Sequence, residues 1–202
     1  MNKVETSTAG AAGQGPDACR VLLLPGWQNS DAQHWQSRWQ ALYGYERLEQ
    51  HNWLHPLRGD WTARLQDTVL DSPTPLVLVA HSLGCILTAW WAAHASPQAL
   101  AKVRAALLVA PGDVQRPDVH PQLAAWAPLA LQPLPFPSVL VGSHNDPYCS
   151  LERAQQLAQS WGARWVDAGH AGHINSASHL GDWEAGHALL LDLMKETAHG
   201  NR

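Results

Sequence analysis

Leu76-Val77-Leu78-Val79-Ala80-His81-Ser82-Leu83-Gly84-Cys85 is the stretch on which the reading of this chain turns. An unbroken apolar run of this length suits a strand buried on both faces of a parallel sheet, and from Leu83 onward the apolar positions fall into helical spacing. Ser82 therefore sits on a sharp strand-to-helix turn. A serine hydroxyl is a weak nucleophile unless it is lifted clear of the sheet and placed beside a base, and such a turn does the lifting. The turn tolerates little bulk two residues to either side, and Ala80 and Gly84 meet that need. Ala80 stands where the common pattern has a first glycine, so one extra methyl must be housed.

Working outward, short apolar runs alternate with amphipathic segments. The predicted strands are Arg20 to Leu24, Tyr45 to Gln50, Pro75 to Ala80, Ala105 to Ala110, Ser138 to Gly142 and Ala163 to Asp167. The predicted helices are Asp31 to Leu42, Asp60 to Leu70, Leu83 to His94, Leu151 to Trp161 and Trp183 to Thr197. Such alternation implies parallel strands joined by right-handed crossovers, with helices on both faces: a three-layer α/β/α sandwich around a mostly parallel six-stranded sheet. Residues 1–18 are small and polar without periodicity and read as a disordered tail, leaving 19–198 as a single domain.

Composition narrows the function. The chain has 202 residues, 46% hydrophobic and only 15% charged, with 13 basic against 17 acidic residues and a formal charge of -4. That balance excludes the basic footprint of a nucleic-acid binder, and the composition is not that of a disordered or coiled-coil protein. No run is long enough to span a membrane, and Met1 to Asp17 lack the apolar core of a signal peptide, so no membrane partner and a cytoplasmic location are expected. Cys19, Cys85 and Cys149 are too scattered for a disulfide framework or a cysteine-rich zinc site. Eleven tryptophans and twelve histidines are the one oddity.

In open sheets of this type, sites form at the carboxyl ends of the strands. Those ends offer Asp146 after the fifth predicted strand and His173 after the sixth, in the order an acid and a base should follow the serine. His173 is the expected general base and Asp146 its orienting acid. Asp113 is the rival acid and His170 the rival base. His170 and His173 also have the spacing of a metal pair, but no third ligand accompanies them, and neither metal nor cofactor is expected. For an oxyanion hole, Leu83 supplies one backbone N–H, and Trp27 the other, with Gln28 as the alternative. Trp27, Gln28 and Trp61 are the expected substrate-binding residues, although tryptophans at helical spacing more often belong to a core. Residues 111–137 carry seven prolines and read as a stiff loop with one helical turn at most.

Leu-Leu-Pro-Gly-Trp-Gln-Asn-Ser (23–30), Trp35, the segment from Trp53 to Trp61, Ala-His-Ser-Leu-Gly (80–84), Asn-Asp-Pro-Tyr-Cys (145–149) and Gly-His-Ile-Asn (172–175) together resemble the bacterial branch of small serine hydrolases related to retinoblastoma-binding protein nine. The resemblance spans about residues 20–195. It implies a compact α/β-hydrolase fold, a triad of Ser82, Asp146 and His173, and a small-molecule acyl substrate, an ester or a related thioester or amide; residues 111–137, the only stretch available for a lid, read as too short and stiff for a substantial one. The retinoblastoma-type partner is not implied, because the acidic Leu-x-Cys-x-Glu motif is absent. Two further readings keep the fold: a binding module of negligible turnover, and an acyltransferase using the same triad.

Overall fold

The computed structural model describes residues 19–199; the tail expected at residues 1–18 lies outside the described residues. Six strands, β1 (Arg20–Leu24), β2 (Glu46–Arg47), β3 (Leu76–His81), β4 (Val103–Val109), β5 (Ser138–Gly142) and β6 (Arg164–Asp167), form one sheet in the order β2-β1-β3-β4-β5-β6. Every pairing is parallel. Successive side chains of a strand point to opposite faces, and the core divides accordingly. Leu22, Leu24, Leu76, Leu78 and Leu108 pack on one side with Trp61, Leu65, Ile86, Leu157 and Trp161. These partners belong to α2 (Arg58–Asp71), α3 (Leu83–His94) and α5 (Leu151–Trp161). Val21, Leu23, Val77, Val79 and Leu107 face the other way, against Trp35, Trp39, Leu190 and Leu193. Those side chains come from α1 (Trp35–Tyr43) and α6 (Glu184–His199). The sandwich is thus the three-layer α/β fold expected from the strand pattern. No described helix is long and apolar enough to cross a membrane.

Several boundaries differ from the sequence expectation. The first helix starts at Trp35, not Asp31. Asp31 instead closes a turn, accepting the N–H groups of Gln33 at 2.8 Å and His34 at 3.1 Å, and His34 caps the helix by accepting Gln36 N–H on Nδ1 at 3.1 Å. The second helix begins two residues early, at Arg58, behind Leu57 and with no side-chain cap. The second strand is two residues long because only Leu22 and Leu23 of β1 offer it a register. A four-residue helix, α4 (Pro97–Leu100), capped by Ser96, separates α3 from β4. Residues 121–126 form a single 3₁₀ stretch, consistent with the stiff loop expected there.

That loop is no mobile lid. Trp126 is fully buried and donates its indole N–H to the Pro56 carbonyl at 2.8 Å, while Trp161 donates to the Ala130 carbonyl at 2.8 Å. Leu129, Ala130 and Phe136 are buried as well.

The backbones of α3 and β1 nearly touch where the elbow meets the sheet. A Cβ on Gly84 would lie 2.2 Å from the Leu24 carbonyl oxygen, a contact with backbone that cannot yield cheaply. Gly59, in the first turn of α2, would meet nothing within 4 Å. The same substitution therefore has opposite expected effects. Gly84→Ala should lower unfolding stability by about 3 kcal/mol or more, whereas Gly59→Ala should raise it by about 0.5 kcal/mol. Urea unfolding of the two variants beside wild type measures both signs.

Candidate active site

Ser82 adopts φ 53° and ψ −117°, a conformation that side-chain-bearing residues rarely take and that costs about 1–3 kcal/mol. The elbow is clamped on all sides. Ser82 N–H donates to the Val109 carbonyl at 3.0 Å, and Cys85 N–H donates to the Ser82 carbonyl at 3.0 Å. Gly84 presses on β1, and Gly26 presses on the serine itself: a Cβ there would lie 2.7 Å from Ser82 Cβ. Cys85, fully buried, tucks its thiol against the carbonyls of Ala80 and Val109 at 3.5 and 3.4 Å, and burial pushes its pKa upward. It is a packed residue, as Cys149 is.

His173 Nε2 lies 2.9 Å from Ser82 Oγ, and its Nδ1 lies 2.8 and 3.0 Å from the two oxygens of Asp146. The side chains of His173 and Asp146 are only 8% and 3% exposed, so the ion pair that would form on proton transfer is shielded from water. With a carboxylate at Nδ1, the neutral imidazole keeps its proton there and turns a lone pair to the serine. Asp146 is held in turn by Tyr148 N–H at 2.8 Å, and the Tyr148 ring meets the His173 ring edge-on at 4.6 Å.

The two rival residues take no part in the contacts among Ser82, His173 and Asp146, although Asp113 borders the cleft. Asp113 accepts Gln115 N–H and faces Arg153 at 3.6 Å, and His170 is exposed beside His144. Among the described residues, no group of three or more His, Cys, Asp or Glu side chains could hold a metal ion.

The loop after β1 approaches the elbow closely. The Cβ position of Gly26 is 3.3 Å from Leu83 N, which brings the loop after β1 beside the first turn of α3. Gln28 N–H is given to the Trp53 carbonyl at 3.1 Å, and so is not free for the cleft. Trp27 and Gln28 both border a cleft of about 920 Å³ that contains Ser82 and His173. Trp61 does not. It is 1% exposed in the core, edge-on to Trp53 and Trp126, with its N–H on the Asn52 carbonyl, because its helical spacing with Leu65 and Val69 turns it inward.

Sequence reasoning missed the residues that position the base. His81 donates from Nε2 to the His173 carbonyl at 2.9 Å, joining the elbow to the loop that carries the imidazole. Trp35 donates to the Ile174 carbonyl at 2.8 Å, and Ser176 Oγ donates to Asp31 at 2.7 Å. Ser143 Oγ and Asn145 Oδ1 accept the N–H groups of Ala171 and Gly172 at 2.9 and 2.8 Å, tying the acid's loop to the base's loop. Ser143 and Asn145 lie just before Asp146 in sequence, and that adjacency was the only signal available.

The chain belongs to a family of α/β-fold hydrolases. Residues 21–192 match the Serine hydrolase family, of which the chain is a member. A solved structure described as a YdeN-like hydrolase from Pectobacterium atrosepticum is similar at 29% identity and TM-score 0.77, covering 89% of this chain and 92% of that one. The ydeN gene product of B. subtilis is similar at 20% identity and TM-score 0.68, covering 88% and 100%. Est1E from Butyrivibrio proteoclasticus, solved with ferulic acid bound, shares the fold at 12% identity and TM-score 0.67, covering 89% and 91%. No curated protein matches. The relation to retinoblastoma-binding protein nine rests on the sequence motifs alone.

His34 and His81 are buried beside the site, their rings 4.6 Å apart, and His81 is 4.9 Å from His173. Burial pushes His34 down to about 3 and His81 well below the ordinary imidazole range. Both are neutral in the folded protein, while in the unfolded chain each gains a proton below about pH 6.5. Their contribution is therefore complete above about pH 6.5 and is lost as pH falls toward the folded values. Each should steepen the loss by up to about 1.4 kcal/mol per pH unit in that window. Urea midpoints between pH 7 and 4.5 should fall less steeply for His34→Asn, which keeps a helix cap, than for wild type.

Proposed function

We propose that this protein is an esterase-like serine hydrolase that works through an acyl-enzyme, with Ser82 as nucleophile, His173 as general base and acid, and Asp146 as the orienting carboxylate. The observation that carries the reading is the unbroken chain of contacts from Ser82 Oγ through His173 to Asp146, at 2.9 and 2.8 Å. Ser82 Oγ attacks the acyl carbon as its proton passes to His173 Nε2. The carbonyl oxygen gains the negative charge and takes the N–H groups of Leu83 and Trp27, each such donor being worth roughly 10² to 10³ in rate. His173 then protonates the departing alkoxide, the bond to the leaving group breaks, and the acyl group remains on Ser82. Water, deprotonated by the same imidazole, cleaves that ester and restores the serine. Asp146 stays ionised throughout and stabilises the imidazolium. No group beyond these side chains and amides enters the scheme. The substrate class is a small ester, with thioesters and amides as neighbours in the same chemistry, and the cytoplasm is the compartment that fits three scattered cysteines.

Hydrolysis is favoured over acyl transfer because the cleft is bordered by polar groups and, among the described residues, no lid excludes water from the acyl-enzyme. A fluorophosphonate probe should label wild type and leave Ser82→Ala unlabelled. Folded wild type that resists the probe would sink the proposal. Asp146→Asn should lower kcat for p-nitrophenyl acetate about 10⁴-fold, with little change in thermal stability, since the amide leaves His173 in the wrong tautomer. If products formed with added alcohols were chiefly new esters, the transferase reading would replace hydrolysis.

A further inference from the structure

The sheet order places β1 on one side of Ser82 and β4 and β5 on the other, and the two halves of the cleft differ in chemistry. On the β4 and β5 side the cleft is walled by Val114, Val119, Leu123 and Tyr148, and Trp27, from the loop after β1, reaches across so that its ring lies tilted against that of His120 at a centroid distance of 4.5 Å. The charged groups on this side neutralise one another: Arg116 pairs with Asp118, and Asp113 faces Arg153 at 3.6 Å. On the β1 side the walls are Asn29, Asp31 and His34, joined by Asn175 and Ser176 from the loop that follows His173. That half holds an exposed carboxylate at Asp31, held below its ordinary pKa first of all by the Ser176 hydroxyl. It also borders an unspent donor. His34 Nδ1 accepts Gln36 N–H, so the neutral ring carries its proton on Nε2, and that buried nitrogen has no hydrogen-bond partner.

We propose that the apolar half receives the acyl chain and the polar half the leaving group, so that the preferred substrates are esters of an apolar acyl group with a hydroxyl-bearing alcohol. This assignment rests on the serine-hydrolase reading above. Two physical arguments give the direction. An acyl chain gains affinity only where it leaves water for apolar surface, about fourfold per buried methylene, and the β4 and β5 side is where that surface lies. The leaving oxygen must take its proton from His173, whose own loop continues into Asn175 and Ser176 and ends on Asp31 at 2.7 Å. A departing polyol keeps its hydrogen bonds on that side and returns directly to water.

The test uses a pair of esters that carry the same groups exchanged across the bond, glycerol monohexanoate and hexyl glycerate, with kcat/KM of each divided by its rate of hydrolysis by hydroxide. Wild type should favour glycerol monohexanoate at least tenfold, a margin that needs only about two buried methylenes. Equal values, or a preference for hexyl glycerate, would overturn the assignment. Leu123→Asp, which puts a charge into the acyl half at a partly exposed position, should bring the ratio toward one. An unchanged ratio in a variant with native circular dichroism would count against that wall, and Leu123→Gln serves if the aspartate fails to fold. If wild type is labelled by the fluorophosphonate and hydrolyses p-nitrophenyl acetate but refuses both esters, this assignment fails and the triad stands. Absence of labelling and of all hydrolysis would remove both.

Discussion

A single strained residue organises this molecule. Ser82 holds a backbone conformation that costs about 1–3 kcal/mol and that no local preference of serine supports. It persists because its neighbours leave no alternative. Gly84 lets α3 lie against the Leu24 carbonyl, Gly26 lets the next loop lie against Ser82, and Val109 takes the serine's own N–H at 3.0 Å. Relaxing the turn would require moving β1 or β4, both of which are paired along their length with β3. The rigidity of the sheet thus becomes the exposure of one hydroxyl, and the same close approach that clamps the serine brings Gly26 beside the Leu83 amide.

The base is held by a comparable excess of constraint. The loop after β6 leaves one edge of the sheet, passes over β5, β4 and β3, and reaches the loop of β1, where Ser176 meets Asp31. On the way it is tied to Asn145, His81 and Trp35. A histidine on an otherwise irregular segment is in this way fixed within hydrogen-bond reach of a serine 91 residues earlier in the chain. The His81 contact comes from a buried polar side chain, and a neutral imidazole is the form that burial permits there.

The excess of tryptophan also has a structural reason. Six indoles, those of Trp35, Trp39, Trp61, Trp91, Trp126 and Trp161, are fully buried. Each gives its N–H to an acceptor: the carbonyls of Ile174, Asp182, Asn52, Pro56 and Ala130, and the side-chain oxygen of Gln66. Five of the six therefore fasten backbone that a smaller apolar residue would leave unanchored, and they do so while burying large area. A chain of this size, with little charge, gains from side chains that fill the core and pin the loops at once. That is why Trp61 serves the core and not the cleft.

The fold class, the order of strands and helices, and the places of Ser82, Asp146 and His173 at strand ends were all legible in the chain, because hydrophobic period and turn chemistry are local properties. Residue order alone also put Leu83 next to Ser82. Sequence could not say that His34 and not Asp31 caps the first helix, since Asp31 is the better capping residue by type and the start at Trp35 is fixed only where that indole packs against the sheet and α6. Nor could it reveal that Gln28 N–H is taken by the Trp53 carbonyl 25 residues away, or that His81 grips the backbone of His173. The division of the cleft was likewise invisible, because it arises from which strands lie to the left and right of β3. Identity of groups is written along the chain, but their distances are set by sheet order and by contacts between residues far apart in sequence, and those exist only once the chain has closed on itself.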